Sequence, residues 1–263
     1  MDKIVIIPTY NEKENIEAII TAVMNLPNNF HVLIVDDGSP DGTADIVKSI
    51  SPKFFGKLFL EERKGKLGLG TAYIHGFKWA LKNNYSYIFE MDADFSHNPT
   101  DLLRLYTACT NGAAVAVGSR YINGGAVENW PTNRILLSKG ASLYTRIITF
   151  MPIKDPTAGF VCYSAKVLNT INLENISFVG YAFQIEMKFA AWKLGFKIIE
   201  VPITFKDRKL GASKMNKGII KEGIFGVLKL KWQSFAKSYR KRTYKNMVEV
   251  NTTTAENMAT KTM

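Results

Sequence analysis

The chain has 263 residues, 46% of them hydrophobic, and a formal net charge of +11. This length suits one large domain or a domain with an appendage, and the apolar fraction excludes a chain that is disordered throughout. The positive charge indicates an anionic partner such as a nucleic acid, a phosphorylated small molecule or an acidic membrane surface.

The cysteines and the apolar runs indicate the cellular setting. Cys109 and Cys162 stand alone in their stretches and form neither a zinc motif nor a disulfide framework, so we expect a reducing compartment. The apolar run at the N-terminus is too short for a signal peptide. No stretch reaches the roughly 18–20 apolar residues of a membrane span. We therefore expect a cytoplasmic protein without a transmembrane segment.

The first half of the chain alternates between short apolar strands and amphipathic helices. In chain order the predicted elements are strand 4–7, helix 12–24, strand 32–35, helix 42–50, strand 57–60, helix 69–82, strand 85–91, a helix from about 99 to 109, and strand 113–117. This alternation predicts an α/β fold with a mostly parallel central sheet flanked by helices.

The second half is less regular. Its predicted elements are helix 133–150, strand 160–163, helix 182–194, strand 197–201 and a last helix from about 218 to 240. A polar loop, 206–214, precedes that last helix. The residues after about 245 lack apolar periodicity, and we expect them to be disordered.

Polar, turn-rich segments follow three of the predicted strands. They are PTYNE (8–12), DDGSPDG (36–42) and DAD (92–94). Ligands of parallel sheets bind at the carboxyl ends of the strands. Loops of this kind are often merely polar, but three of them at one edge predict a binding site.

The 36–42 turn and the 65–70 segment offer different groups to a ligand. An aspartate at a strand end, such as Asp37, accepts hydrogen bonds from a base or a ribose, whereas Asp41 is expected to cap the next helix through an Asx-type turn. The glycines of segment 65–70 match neither phosphate-loop pattern. With Lys64 and Lys66 they nevertheless form a basic loop suited to phosphate.

Asp92 and Asp94 follow directly after a predicted buried strand. Two carboxylates there repel each other and raise the free-energy cost of folding, so their presence requires an explanation. An EF-hand would need glycine and glutamate where the sequence has His97 and Leu103. Glycosidases normally take their two carboxylates from separate segments. Helix capping explains one residue of this loop, best Asn98, but not the pair.

The remaining interpretation is a divalent cation shared with a diphosphate. Mg²⁺ and Mn²⁺ take one or two carboxylates together with phosphate oxygens. Such a cation cancels the repulsion within the pair and neutralises a diphosphate leaving group. The sequence therefore predicts Asp92 and Asp94 as metal ligands.

Several segments together resemble a known family. IIPTYNEKENI, VLIVDDGSPDGT, GLGTAYIHGF and EMDADFSHNP resemble the inverting, GT-A-type glycosyltransferases of family 2, which use nucleotide sugars. VGSRYINGG, NWPTNRILLSKGA, DPTAGFVCYS and the stretch 181–215 resemble the dolichol-phosphate mannose synthases and their bacterial polyprenol-phosphate counterparts. The resemblance runs from about residue 4 to residue 215.

This resemblance implies the transfer of mannose from GDP-mannose to a polyprenyl or dolichyl phosphate, with a divalent metal. The implied catalytic residues are Asp94, Arg120, Arg208 and Lys214. The implied acceptor-phosphate residues are Arg120, Arg134 and Ser138. The implied nucleotide-sugar residues are Pro8, Tyr10, Glu12, Val35, Asp37, Asp92, Ala93, Asp94, Gln184, Glu186, Arg208 and Lys214.

A phosphate acceptor decides which catalytic groups are needed. A phosphate monoester has its second pKa near about 6, so it is largely a dianion at neutral pH and needs no strong general base. Cations beyond the metal must admit it to a site that already holds a diphosphate. Arginines suit that task because they bind phosphate through two parallel hydrogen bonds. The 206–214 loop, which contains Gly211, is expected to close over the substrates.

The last helix has a broad apolar surface and a basic end. Its apolar residues include Ile219, Ile224, Trp232 and Phe235, and no acid occurs among the lysines and arginines from 229 to 245. This pattern predicts a helix lying on anionic lipids, although an ordinary core-packing helix remains open. Segment 147–151 is a second candidate for contact with the acyl chain.

We accordingly expect a catalytic domain over 1–217, a membrane-interface helix over 218–245 and a disordered tail over 246–263. The expected location is peripheral, on the cytoplasmic face of a membrane. Two alternatives stay open: the same fold with another hexose donor or a non-lipid acceptor, and a basic nucleic-acid-binding module. The second is disfavoured because the chain has no recognised nucleic-acid motif, so no nucleic-acid partner is expected.

Overall fold

The structure is a computed structural model that describes residues 2–180, 182–207 and 217–241, and the side chains of all of these except 217–224. The strands are β1 (Lys3–Thr9), β2 (His31–Asp36), β3 (Leu58–Glu62), β4 (Tyr87–Glu90), β5 (Val115–Ser119), β6 (Ala126–Glu128), β7 (Val161–Ser164), β8 (Ile198–Pro202) and β9 (Thr204–Lys206). The helices are α1 (Ile16–Met24), α2 (Thr43–Ile50), α3 (Leu69–Lys82), α4 (Asp101–Thr110), α5 (Thr132–Thr149), α6 (Ala165–Thr170), α7 (Ala182–Lys193) and α8 (Lys217–Ala236).

Helix α1 begins later than the sequence predicts. The predicted helix starts at Glu12, but the backbone N–H groups of Asn15 and Ile16 both donate to the Glu12 carbonyl, at 3.0 and 2.9 Å. Asn11 also adopts a positive φ of 57°, which breaks a helix. Apolar spacing cannot detect such a turn, and its consequence is that Glu12 lies in the loop after β1.

The central sheet is mostly parallel, as predicted. Its order is β3-β2-β1-β4-β7-β5-β8, and β7 alone runs antiparallel to its neighbours. Glu90, the last residue of β4, pairs with Val161, the first residue of β7. The segment that leads into β7 therefore approaches the carboxyl end of β4.

Both faces of the sheet are covered, which explains why its strands are apolar without alternation. Along β1, Ile4 and Ile6 belong to the core layer that includes α3 and α7 residues. Val5 and Ile7 belong to the opposite layer, with residues from α1, α2 and α4. Successive residues of a strand point to opposite faces, so each must be apolar when helices cover both.

A small second sheet and two outer helices complete the described part. Strands β6 and β9 pair in parallel, with Ala126 opposite Thr204. Helix α5 packs against α8. Among the described residues, we find no helix whose length and hydropathy are enough for a membrane span.

The close contact between α3 and β1 generates a prediction for stability. A Cβ atom at Gly76 would lie 2.7 Å from Cγ2 of Ile6, which is buried in β1. Gly76→Ala should therefore lower the free energy of unfolding by about 1–3 kcal/mol, as overpacked core sites do. Urea denaturation measures this change.

Gly140 in α5 is the matched control, because a Cβ atom there would meet nothing within 4 Å. Gly140→Ala should leave stability unchanged or raise it by up to about 1 kcal/mol, since alanine favours the helix. Equal unfolding midpoints for the two variants would contradict the packing assigned to Gly76.

Candidate active site

The strand order brings the three polar segments of the first half together. Strands β2, β1 and β4 are neighbours in the sheet, so their carboxyl ends lie side by side. Pro8 of β1 pairs with Val35 of β2, and the Asp37 N–H donates to the Thr9 carbonyl at 3.0 Å. On the other side, the N–H of Met91 donates to the Ile6 carbonyl at 3.2 Å.

Two of the aspartates in the 36–42 turn hold the turn itself. Asp36 accepts hydrogen bonds from the hydroxyls of Thr9 and Ser39, at 2.8 and 2.6 Å. Asp41 accepts from the backbone N–H of Thr43 at 3.0 Å, at the first residue of α2, as the sequence predicts. These contacts fix the path of the chain beside Asp37.

Asp37 has a different environment and a partner that sequence reasoning missed. Its Oδ1 accepts from Nε of Arg63 at 2.6 Å, its Oδ2 from the Leu67 N–H at 3.2 Å, and both side chains of the pair are only 8% exposed. Lys66, from the same basic loop, lies 4.8 Å from the centre of the Tyr10 ring. The segment thus contacts Asp37 through a buried arginine and Tyr10 through Lys66.

Asp92, Ala93 and Asp94 lie in the loop after β4, and the two carboxylates differ in exposure. The Asp92 side chain is 41% exposed, whereas Asp94 is buried and accepts from the Ser96 N–H at 3.0 Å. Asn98 accepts from the Thr100 N–H at 3.1 Å, just before α4. Asn98 thus holds the turn that leads into α4, whereas the N-cap residue of α4, Thr100, makes no side-chain capping hydrogen bond.

His97 supports this loop from beneath. Its Nδ1 accepts from the backbone N–H of Asp92 at 3.2 Å, so the ring proton lies on Nε2. The ring stacks on Phe160 at 4.7 Å, and Phe205 meets it edge-on at 5.3 Å. Burial lowers the pKa of His97 to about 4, so the imidazole is neutral and packs as an aromatic group.

The donor atoms in this loop fit a hard divalent cation. Mg²⁺ and Mn²⁺ prefer carboxylate oxygens and commonly keep positions for water and phosphate. Within the described ranges, no three or more His, Cys, Asp or Glu residues cluster as a closed metal cage. Asp92 and Asp94 therefore suit an open site whose remaining ligands come from a diphosphate and water.

Arg120, at the end of β5, is held by a buried acid that the sequence did not single out. Its Nε and Nη2 donate to the two carboxylate oxygens of Asp155, each at 2.7 Å, and Nη2 also donates to Thr157 at 2.8 Å. Burial tends to raise the pKa of Asp155, but the Arg120 charge outweighs it and holds that pKa below its usual value.

Arg134 and Ser138 lie on the same side of the site as Arg120. The Arg134 guanidinium lies 3.9 Å from the Trp130 ring centre and 3.0 Å from Asp207, while Tyr121 donates to Ser138 at 2.6 Å. Both predicted acceptor arginines therefore carry a counter-ion. The net positive charge on this side is smaller than the sequence alone implies, since the pairing partners are distant in sequence.

Gln184 and Glu186, both expected on the sugar side, lie on opposite faces of α7. A Cβ atom at Gly159 would lie 3.8 Å from Gln184 Nε2 and 3.9 Å from His97 Cε1, so Gln184 borders the loop of the paired aspartates. Glu186 instead accepts from the N–H groups of Ser177 and Phe178, at 2.7 and 3.0 Å.

Glu186 also contacts a residue beyond α8, and its expected place on the sugar side stays a prediction. Its second oxygen accepts from Nζ of Lys237 at 2.7 Å, and the Glu186 side chain is completely buried. Residues two apart on a helix point about 200° from each other, so Gln184 and Glu186 meet different neighbours. Glu186 ties the 177–178 backbone to the residue that follows α8.

Two further buried titratable groups lie beneath the site. Lys188 donates to the carbonyls of Ala158 and Gln184, at 2.6 and 2.9 Å, and burial lowers its pKa to about 8. Burial raises the pKa of Glu90, at the end of β4, to about 8. A glutamate inside the apolar run YIFEM is the sequence signal that could have revealed this pair.

Arg208 and Lys214, which the sequence predicts as catalytic and nucleotide-sugar residues, lie outside the described residues.

Comparison with known proteins places this geometry in a family. The sequence model of glycosyl transferase family 2 matches residues 4–171. A polyprenol monophosphomannose synthase from Mycolicibacterium smegmatis is 46% identical over 85% of this chain and 84% of its own length. An undecaprenyl-phosphate mannosyltransferase from Micrococcus luteus is 43% identical over 86% of this chain and 93% of its own length.

A further sequence relative and a solved structure are also similar to this chain. A dolichol-phosphate mannosyltransferase from Pyrococcus furiosus is 38% identical over 87% of this chain, which spans 64% of that protein. A crystal structure of glucosyl-3-phosphoglycerate synthase from Mycobacterium tuberculosis, solved with Mn²⁺ and uridine diphosphate, has a TM-score of 0.64 and 16% identity, over 88% of this chain and 79% of that chain. The chain is a glycosyltransferase of GT-A architecture, and it belongs to glycosyl transferase family 2.

Proposed function

We propose that this enzyme transfers mannose from GDP-mannose to a polyprenyl phosphate of the dolichyl type, with inversion. The product would be a polyprenyl β-mannosyl phosphate. The observation that carries the proposal is the position of Asp92 and Asp94, between the Asp37 turn on one side and the Arg120 cluster on the other. The names of the curated relatives support mannose as the sugar and a polyprenyl phosphate as the acceptor.

The donor would bind across the ends of β2, β1 and β4. Asp37, held by Arg63, offers carboxylate oxygens to the guanosine, and Tyr10 and Glu12 lie in the neighbouring loop. Asp92 and Asp94 would hold Mg²⁺ or Mn²⁺, which when bound supplies charge neutralisation for the diphosphate leaving group. The Mn²⁺ in a structure of the same fold supports a divalent metal.

The acceptor would enter from the side of Arg120 and Arg134. Its phosphate arrives ionised, so these residues need to attract and orient it rather than remove a proton. Asp155 fixes the Arg120 guanidinium through two hydrogen bonds, which limits its rotation before the acceptor binds. A phosphate oxygen then attacks the anomeric carbon opposite the bond to the diphosphate. That bond breaks, and the configuration at the carbon inverts.

Aromatic groups on the acceptor side would keep water away from the anomeric carbon. The Phe205 ring contacts both His97 and Trp130, each at 5.3 Å between ring centres. The Arg120 guanidinium lies 5.6 Å from the same Phe205 ring. A charge beside apolar rings acts in a low dielectric, where it stabilises a phosphate more strongly than in water.

Membrane attachment is the second part of the proposal. The large apolar side chains of α5 and α8 that stand in solvent include Ile147, Phe225, Trp232 and Phe235, each at least 60% exposed. Lys231 lies 4.6 Å from the Phe150 ring and 5.6 Å from the Phe235 ring. Exposed aromatics interleaved with lysine suit the interface of an anionic membrane. The location of the enzyme on the cytoplasmic face of that membrane remains a prediction.

A donor and acceptor panel tests the function. GDP-mannose with a polyprenyl phosphate should give turnover that requires Mg²⁺ or Mn²⁺, and UDP-glucose should give little. Asp94→Asn should lower kcat/KM by about 100-fold or more, because it removes a metal ligand worth several kcal/mol to the leaving group. Radiolabelled transfer into the lipid phase measures both.

The exposed Glu17→Gln is the matched control, since its side chain is 58% exposed on α1. It should retain wild-type turnover. Transfer to a soluble sugar but not to the lipid phosphate would contradict the proposal, as would equal turnover with another hexose donor.

Asp155 generates a separate prediction for stability. Asp155→Asn should lower the free energy of unfolding by about 3–5 kcal/mol, because it leaves the Arg120 charge buried and only 9% exposed without a counter-ion. Asp101→Asn breaks a pair with Arg104, which is 49% exposed, and should cost less than about 1 kcal/mol. Denaturant titration of both proteins distinguishes the two, and similar values would contradict a structural role for Asp155.

The exposed aromatics generate a prediction for membrane binding. Replacing both Trp232 and Phe235 by alanine should weaken binding to lipid vesicles by at least about 10-fold, because each ring buries apolar area in the interface. Phe55→Ala removes a ring that is 92% exposed elsewhere and should change nothing. Vesicle sedimentation measures the partition, and an equal loss in both proteins would argue against an α8 interface.

A further inference from the structure

A cavity of about 430 Å³ opens beside the acceptor side of the site. Residues from the loop after β5, from α5 and from the segment before β7 line it. Among them are Arg120, Lys139, Arg146 and Lys154, and the described lining includes no acid. Asp155 neutralises Arg120, so the remaining three residues give the cavity an excess of positive charge.

Two buried polar atoms in the cavity wall have no protein partner among the described residues. Ser142 is 2% exposed and lines the cavity, and its Oγ makes no hydrogen bond. The Nε of Arg146, one turn further along α5, is likewise buried and unpaired. Buried polar groups are nearly always satisfied, so both atoms point to a ligand with several acceptor oxygens.

The surroundings of the cavity indicate which anion it takes. Leu143 lines the cavity and is 54% exposed, and Ile147, one turn later on α5, is 60% exposed. Phe150 follows at 71% exposure and contacts Lys231 of α8, on the proposed membrane surface. A cationic cavity that opens beside apolar side chains suits an amphiphile more than a free ion.

We propose that this cavity binds the phosphodiester headgroup of an anionic phospholipid that is not the acceptor. Lys139, Arg146 and Lys154 would bind the phosphate oxygens, with Ser142 donating from the wall. The three cations differ from the residues assigned to the acceptor phosphate, and only Arg120 is common to both sites. The inference rests on the membrane attachment proposed above. A lipid held here would seat α5 in the headgroup layer next to the acceptor side.

The test uses vesicles without polyprenyl phosphate or donor. Wild-type protein should bind phosphatidylglycerol vesicles more tightly than phosphatidylcholine vesicles. The full-length triple variant Lys139→Gln/Arg146→Gln/Lys154→Gln should lose on the order of 100-fold of its affinity for the phosphatidylglycerol vesicles, since each cation near an anionic surface adds about one kcal/mol. Circular dichroism and thermal unfolding show whether the variant is folded.

A control with the same change in net charge removes non-specific attraction. Lys48→Gln/Lys53→Gln/Lys78→Gln replaces three lysines that are 52%, 66% and 48% exposed and do not line the cavity. The affinity of this control variant for phosphatidylglycerol vesicles should fall by less than about 3-fold. An equal loss in the two triple variants would overturn the inference, because bulk charge would then explain the binding.

Two further arms distinguish the sources of phosphate. If the cavity variant loses affinity only for phosphatidylcholine vesicles that carry polyprenyl phosphate, the cavity belongs to the acceptor and the inference is wrong. Calorimetry measures the affinity for inorganic phosphate. If the cavity variant loses that affinity but still binds phosphatidylglycerol vesicles, the site takes a soluble anion and the inference is also wrong. Mannose transfer in detergent without phosphatidylglycerol tests the proposed function independently.

Discussion

The buried ion pair between Arg120 and Asp155 is the contact on which the proposed acceptor half of the site depends. Arg120 follows β5, Asp155 precedes β7, and the Asp155 N–H donates to Glu200 of β8 at 2.9 Å. Asp155 therefore links the end of β5 and the segment before β7 to the carboxylate of Glu200 in β8. Removing two charges from water is costly, but parallel hydrogen bonds at 2.7 Å and a third from the Arg120 backbone, at 3.0 Å, offset that cost.

The reversed direction of β7 makes this pair possible. A parallel strand in that place would put its entry at the far edge of the sheet, away from the paired aspartates. Because β7 is antiparallel, the 155–160 segment enters at the edge where β4 and β5 end. Phe160 can then stack on His97, and Gly159 leaves space between His97 and Gln184. The loop of Asp92 and the loop of Asp155 are thereby built against each other.

The sequence predicted what depends on local pattern. The strands of the first half and the three polar loops follow from apolar runs and turn residues, and the strand order then places Asp37 near Asp92. Pairings between distant residues were not predictable, since Arg63 with Asp37 and Arg120 with Asp155 depend on how loops cross the sheet edge. The antiparallel direction of β7 could not be predicted from the sequence for a related reason. An apolar run specifies burial but not orientation.

Helix α7 shows how one buried element serves two regions. Residues 182–191 are all buried, so amphipathic spacing gives no indication of which face meets which neighbour. Gln184 faces the loop of the paired aspartates, whereas Glu186 faces the 177–178 backbone and Lys237 beyond α8. The carbonyl of Val179 in turn accepts from the Gly70 N–H at the start of α3, at 2.8 Å. A buried acid with three donors thus joins the end of α8 to the segment that contacts α3, and its complete burial requires that all three donors stay in place.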